Sequence, residues 1–156
     1  MNGIDYEILV SKLRYSGWLV WPPEEVETIK AFFMALWTNV LSHQPSYPDA
    51  REWLCVIGQA EDDLHPYLAK WGQADSDAAL RHLVMLVDRE VGDIEHRKLG
   101  NAFWQERLAQ MRQVVDWLYS PTTVNQFTSA LALFESKEAQ ERLYYPSKYL
   151  RQVLHS

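Results

Sequence analysis

Apolar positions recur every three to four residues along nearly the whole chain, which is the spacing of one face of an α-helix. Val26, Ile29, Phe33, Leu36, Trp37 and Val40 give the clearest case, one wide apolar face within WPPEEVETIKAFFMALWTNVLSH. That segment opens on Pro22 and Pro23, which suit a first turn because the N–H groups there have no helical partner. Glu24, Glu25 and Glu27 come next, where negative charge complements the positive end of the helix dipole. Upstream, Ile8, Leu9 and Leu13 predict a shorter helix closed by Gly17, a residue that takes the left-handed cap without strain.

Past the turn-rich SHQPSYPD, Asp49 is placed to start a helix whose face is Ala50, Trp53, Leu54 and Ile57, ending at Gly58. EDDLHPYLAKWG predicts a short helix with Leu64, Tyr67, Leu68 and Trp71 on one side and Gly72 as its stop. Ser76 caps the next, whose stripe is Leu80, Leu83, Val84, Val87 and Val91. Asp77, Arg81 and Asp88 form a solvated strip on it. Ala78, His82, Met85 and Leu86 give the same helix a second apolar side, and such a helix belongs at the centre of a domain. Beyond Gly92 and Gly100, Asn101 is placed to cap a helix carrying Trp104, Leu108, Met111, Val115 and Leu118. Ser120 and Pro121 open another, with Val124, Phe127, Leu131 and Phe134 facing inward. KEAQERLYY after Ser136 and SKYLRQVLHS after Pro146 add two short helices.

No run of alternating Val, Ile or Thr argues for a strand, and no low-complexity linker divides the chain. The expected fold is a single all-α domain over residues 1–156, with about eight helices of the usual three to four turns. Trp21, Trp37, Trp53 and Trp71 fall 16, 16 and 18 positions apart. That spacing suits stacked helices of similar length, in either a short α-solenoid or an irregular bundle, although no repeat motif recurs.

Composition narrows the classes. Of 156 residues 47% are hydrophobic, enough to build a core without disulfides or a structural metal. Cys55 is the only cysteine, so an internal disulfide and a Cys-rich zinc site are excluded. It stands in EWLCVIG among apolar neighbours and reads as a small buried hydrophobe, because an activated thiol needs an electropositive setting. No segment approaches the roughly 18 apolar residues of a membrane span. Asp5 and Glu7 stand where a secretory leader would carry basic residues, so a soluble cytoplasmic protein is expected. The net charge of −6 is uneven: residues 1–79 hold 12 acids against 5 bases, and residues 80–156 hold 9 against 10. An acidic first half disfavours nucleic acid and suits a basic protein partner, though the same charges also serve solubility.

The chemistry-bearing motifs are few. DDLH (Asp62 to His65) and DIEH (Asp93 to His96) share the carboxylate-x-x-His pattern with which di-iron bundles hold metals. Pro66 belongs in a first turn, which leaves Asp62 outside the helix, and Asp93 after Gly92 reads as a helix start. Both copies are therefore expected to be helix starts, and no metal or cofactor is expected. No nucleophile elbow, phosphate loop or zincin motif is present. Aromatic residues are abundant, with 7 Trp, 8 Tyr and 5 Phe. Most fall on helix faces, but Trp18 and Trp21 fall in a loop and Tyr144, Tyr145 and Tyr149 surround Pro146. Such residues favour interfaces because they bury much area with few rotors. The acids Glu61, Asp62 and Asp63, consecutive and without a basic neighbour before Lys70, are placed to steer a basic partner.

The residues support two readings. The first is a non-enzymatic helical domain that binds another protein, one form being a small acidic inhibitor or immunity-type protein. Its candidate interface residues are Trp18, Trp21, Glu61, Asp62, Asp63, Tyr144, Tyr145 and Tyr149. The second is a ligand- or metal-dependent enzyme whose site in the helical interior uses His65, His82 or His96.

Overall fold

A computed structural model of the chain describes residues 5–131. Within them run seven α-helices: α1 Tyr6–Tyr15, α2 Pro23–Ser42, α3 Ala50–Ala60, α4 His65–Gln73, α5 Asp77–Ile94, α6 Leu108–Leu118 and α7 Pro121–Leu131. Two 3-10 turns, Trp18–Val20 and Ala102–Glu106, join them. No strand occurs among the described residues, and no helix there is long and apolar enough to cross a membrane. The helices expected after Ser136, and with them Tyr144, Tyr145 and Tyr149, lie outside the described residues.

The arrangement is an all-α bundle. A solenoid packs each unit on its sequence neighbours, whereas α5 packs against α2, α3 and α7, and α4 meets α2, α6 and α7. The helix centrally enclosed is α3, with every residue from Leu54 to Ala60 buried. It starts at a capping box: the Asp49 carboxylate accepts from Arg51 N–H while Glu52 accepts from Asp49 N–H. Asp5 caps α1 and Ser76 caps α5 in the simpler manner, each accepting an N–H three residues on.

Tryptophan organises the core because its ring fills volume while its one N–H demands an acceptor. Trp37 meets Trp71 edge-on at 5.4 Å. The Trp18, Trp37 and Trp71 indole N–H groups donate to the carbonyls of Ala60, Tyr67 and Ala79. Each bond ties one helix or turn to another.

Several helix ends differ from the expectation. Gly58, Gly72 and Gly92 do not stop their helices, which run on to Ala60, Gln73 and Ile94. A glycine inside a helix costs only about 1 kcal/mol relative to alanine, and packing outweighs it. At Gly58 the reason is space: a Cβ there would lie 2.8 Å from the Trp104 ring. Gly17 does close α1, with φ +72°. Asn101 caps the 3-10 turn rather than a long helix, so Trp104 is buried from that turn and Leu108 is left 51% exposed at the start of α6.

Candidate functional site

The loop between α1 and α2 holds two tryptophans three residues apart with opposite fates. Trp18 is buried, meets Phe33 edge-on at 6.2 Å, and spends its N–H on Ala60. It is a core residue, which removes it from the expected interface. Trp21 is 37% exposed. With Glu24, Glu25, Thr28 and Ile29 it lines a cleft of about 450 Å³. Val20 beside it is 89% exposed, and Phe32, one turn beyond Thr28 and Ile29, is 65% exposed. An exposed apolar strip of Val20, Trp21 and Phe32 therefore lies along α2 away from the buried Phe33, Trp37 and Leu41, with the half-buried Ile29, packed against the core, at its edge. Glu24, Glu25 and Glu27 stand exposed along it. None of the three has an ion-pair partner among the described residues. Lys30, the base nearest to them on α2, turns instead to Glu61 at 3.5 Å.

The three consecutive acids do not form a free acidic patch. Glu61 is buried and accepts the Tyr67 hydroxyl at 2.6 Å, beside its ion pair with Lys30. Burial, reinforced by the Glu61 carboxylate, pushes the Tyr67 hydroxyl pKa far up. Asp62 is exposed but pairs with Arg107 at 2.8 Å, and its carbonyl accepts from Gln110 and Gln113. Arg107 also donates to the carbonyls of Gly58 and Glu61. Asp63 accepts from His65 N–H and meets its ring at 2.7 Å, and that backbone bond holds the Asp63 carboxyl below the usual range. These acids are a joint between α3, α4 and α6. The bases that satisfy Glu61 and Asp62 come from residues 30 and 107, far away in sequence, which is why neighbouring residues alone leave them without a base.

The two Asp-x-x-His motifs differ from one another. Asp62 lies outside α4, as Pro66 requires, so it and His65 lack helical geometry. Asp93 does not start a helix: it sits in the last turn of α5, and His96 lies in the turn beyond. Among the described residues no three His, Cys, Asp or Glu side chains group to hold a metal ion. His65, His82 and His96 sit in separate surroundings. His82 alone is buried; its Nδ1 accepts from Ala50 N–H and its Nε2 bonds the His43 carbonyl. Burial keeps its pKa below the ordinary value, so it is a neutral strut between α5 and the start of α3.

One charged cluster escaped the sequence reading. Glu90 of α5 is buried, bridging Arg51 at 2.9 Å and the Gly100 N–H at 2.7 Å. Arg51 also pairs with Glu52 at 2.9 Å, and Arg89 lies 3.6 Å from Asp49. Beside them Leu86, Leu99, Asn101 and Trp104 help enclose a cavity of about 10 Å³, room for no more than a single water. The cluster is structural, tying α3, α5 and the 95–101 loop. Glu90 continues the His82 and Leu86 side of α5 at i+4, and a carboxylate on that otherwise apolar side is the signal that could have marked it.

No protein-family model, curated protein or solved structure matches the chain.

Proposed function

We propose that the chain acts in the cytoplasm by binding another protein through the outer side of α2, taking a partner that is basic and carries bulky apolar groups. The observation that supports this reading is the exposed strip Val20, Trp21 and Phe32, edged by Glu24, Glu25 and Glu27, which have no ion-pair partner among the described residues. Large apolar groups left in water at a shallow cleft mark interaction sites, and Trp is foremost among residues that dominate binding energy. The acids speed encounter with a positive surface and exclude negative ones. A small inhibitor or immunity-type protein fits this form of action, because it needs a surface and no catalytic group.

The test begins with capture of the partner from the source cells, and continues with kinetics of the purified pair. Trp21→Ala combined with Phe32→Ala should weaken binding by about 2 kcal/mol or more, mainly through faster dissociation. Glu24→Lys, Glu25→Lys and Glu27→Lys together should slow association and flatten its salt dependence. A partner indifferent to both sets of changes would remove this reading.

A further inference from the structure

Among the seven α-helices of the described residues, α1 alone has no buried residue. It lies mainly on α3, through the Tyr6 ring 5.0 Å from Trp53 and the half-buried Val10 and Leu13. Its remaining side-chain ties are polar. Arg14 and Tyr15 reach the largely exposed Glu106 at 3.3 and 3.0 Å, and Glu7 meets Asn101 at 3.4 Å. Exposed pairs of this kind contribute little. Arg14 also keeps its Nε buried without a hydrogen-bond partner. A cleft of about 410 Å³ already runs beside the helix, lined by Ser11, Tyr15, Gln59, Phe103 and Gln105.

Gly17, in the left-handed conformation, ends the helix, and the next residue, Trp18, is locked in the core with its N–H on Ala60. A rotation at residues 16 and 17 moves α1 without disturbing that anchor. Tyr6 of α1 lies on Trp53, and the buried Gln59 lines the cleft beside Ser11 and Tyr15 of α1, its Nε2 4.0 Å from the Sγ of the buried Cys55. Burial first, and then the Glu7 carboxylate of α1, push the Cys55 thiol pKa up.

We propose that α1 is a displaceable cover: it lifts from α3 as a unit, pivoting at Ser16 and Gly17, and opens a second face while α2 to α7 stay folded. That face carries Trp53, Cys55, Gln59 and Phe103, and its resident occupant is α1. A partner using it competes with α1, so this surface is gated whereas the α2 strip is always open. The proposal does not depend on the role assigned to that strip.

Cys55 provides the readout, since its thiol reacts only when uncovered. The full chain is treated with N-ethylmaleimide across low urea concentrations, with amide exchange tracked in parallel. Alkylation should change little with urea below the unfolding transition, and α1 amides should exchange well before those of α3 and α5, the signature of local opening. Tyr6→Ala with Glu106→Gln should speed alkylation about tenfold while leaving the urea midpoint of the remaining helices in place. Leu83→Ala, which weakens the core far from α1, should leave the alkylation rate unchanged. Alkylation that tracks global unfolding, with the full urea slope and a large acceleration in Leu83→Ala, would overturn the proposal. So would a Tyr6→Ala, Glu106→Gln protein that reacts at the rate of the parent.

Discussion

The two helices that lie against each other, α1 and α3, are held by different physics. α3 is enclosed by α1, α2, α5 and the Ala102–Glu106 turn. Enclosure calls for partners for polar groups, and although the buried Arg51 Nε has none, as the Arg14 Nε of α1 has none, the other partners are specific. At its start the Ala50 N–H goes to His82. At its end the carbonyls of Gly58, Ala60 and Glu61 go to Arg107 and Trp18. Gln59, buried within it, donates to the Phe103 carbonyl. α1 touches the molecule on one side, keeps Ile8 and Leu9 about half exposed, and needs no such network. Burial on all sides is what calls for close approach and nearly complete hydrogen bonding; a helix on the surface needs only one apolar stripe.

The strongest way to break this contrast is to remove the same side chain from each helix. Leu54→Ala in α3 should cost about 2–5 kcal/mol, because Leu54 is 1% exposed and its neighbours cannot collapse into the space. Leu9→Ala in α1 should stay within about 0.5 kcal/mol, since Leu9 is 57% exposed. Urea unfolding of both variants measures the pair. Equal losses would mean that α1 is as integral to the core as α3.

A glycine pair sharpens the contrast at smaller amplitude. Gly58→Ala adds a methyl against the Trp104 ring, where the ring must shift, and should cost about 1–3 kcal/mol. Gly92→Ala adds one where nothing lies within 4 Å inside the same kind of helix, and should gain about 0.4–1 kcal/mol. Thermal unfolding of the two proteins should therefore move in opposite directions. If Trp104→Leu also relieves the first loss, the close approach of α3 to the 3-10 turn is its cause.

Gly58 follows the apolar run 53–57 and Gly92 follows Val91, the last residue of the stripe that begins at Leu80, and the sequence reads each as a stop. This is where the pattern loses its power. Spacing of apolar residues finds a helix and its inward side, as it does for Phe33, Trp37, Leu83 and Trp71, because burial is set by period. It also finds caps, since Asp49 and Ser76 act within three residues of themselves. What it cannot carry is the partner of a polar group far away in sequence. Glu61, Asp62 and Glu90 look free or solvated until Lys30, Arg107 and Arg51 arrive from other parts of the fold. Trp18 and Trp21 look alike for the same reason, although only one of them has the Ala60 carbonyl within reach. Phe32 escapes notice because Phe33, its neighbour, fits the stripe and Phe32 lies about 100° away around the helix.

The smallest expected effect concerns how α1 is held. Glu7 is half-buried against α3, and burial lifts its carboxyl pKa above the ordinary value of about 4.5. Its surroundings also include Asp5, whose charge pushes in the same direction, the Asn101 amide, which opposes it, and the buried Cys55 thiol. An acid that binds its proton more tightly when folded contributes stability fully present below its unfolded pKa, and lost as pH rises through the folded one. At neutral pH Glu7 is therefore a partly desolvated charge that works against docking. Glu7→Gln keeps a side chain able to bond Asn101 and removes the charge. Amide exchange of α1 at pH 7 should slow by less than about fivefold, because solvent screens a half-exposed group. The difference from the parent should vanish below about pH 4.5, where Glu7 is itself neutral. Faster exchange in Glu7→Gln at neutral pH would reverse the sign: the carboxylate would then be one of the groups that hold α1 down, and the ease of lifting α1 would rest on its few apolar contacts alone.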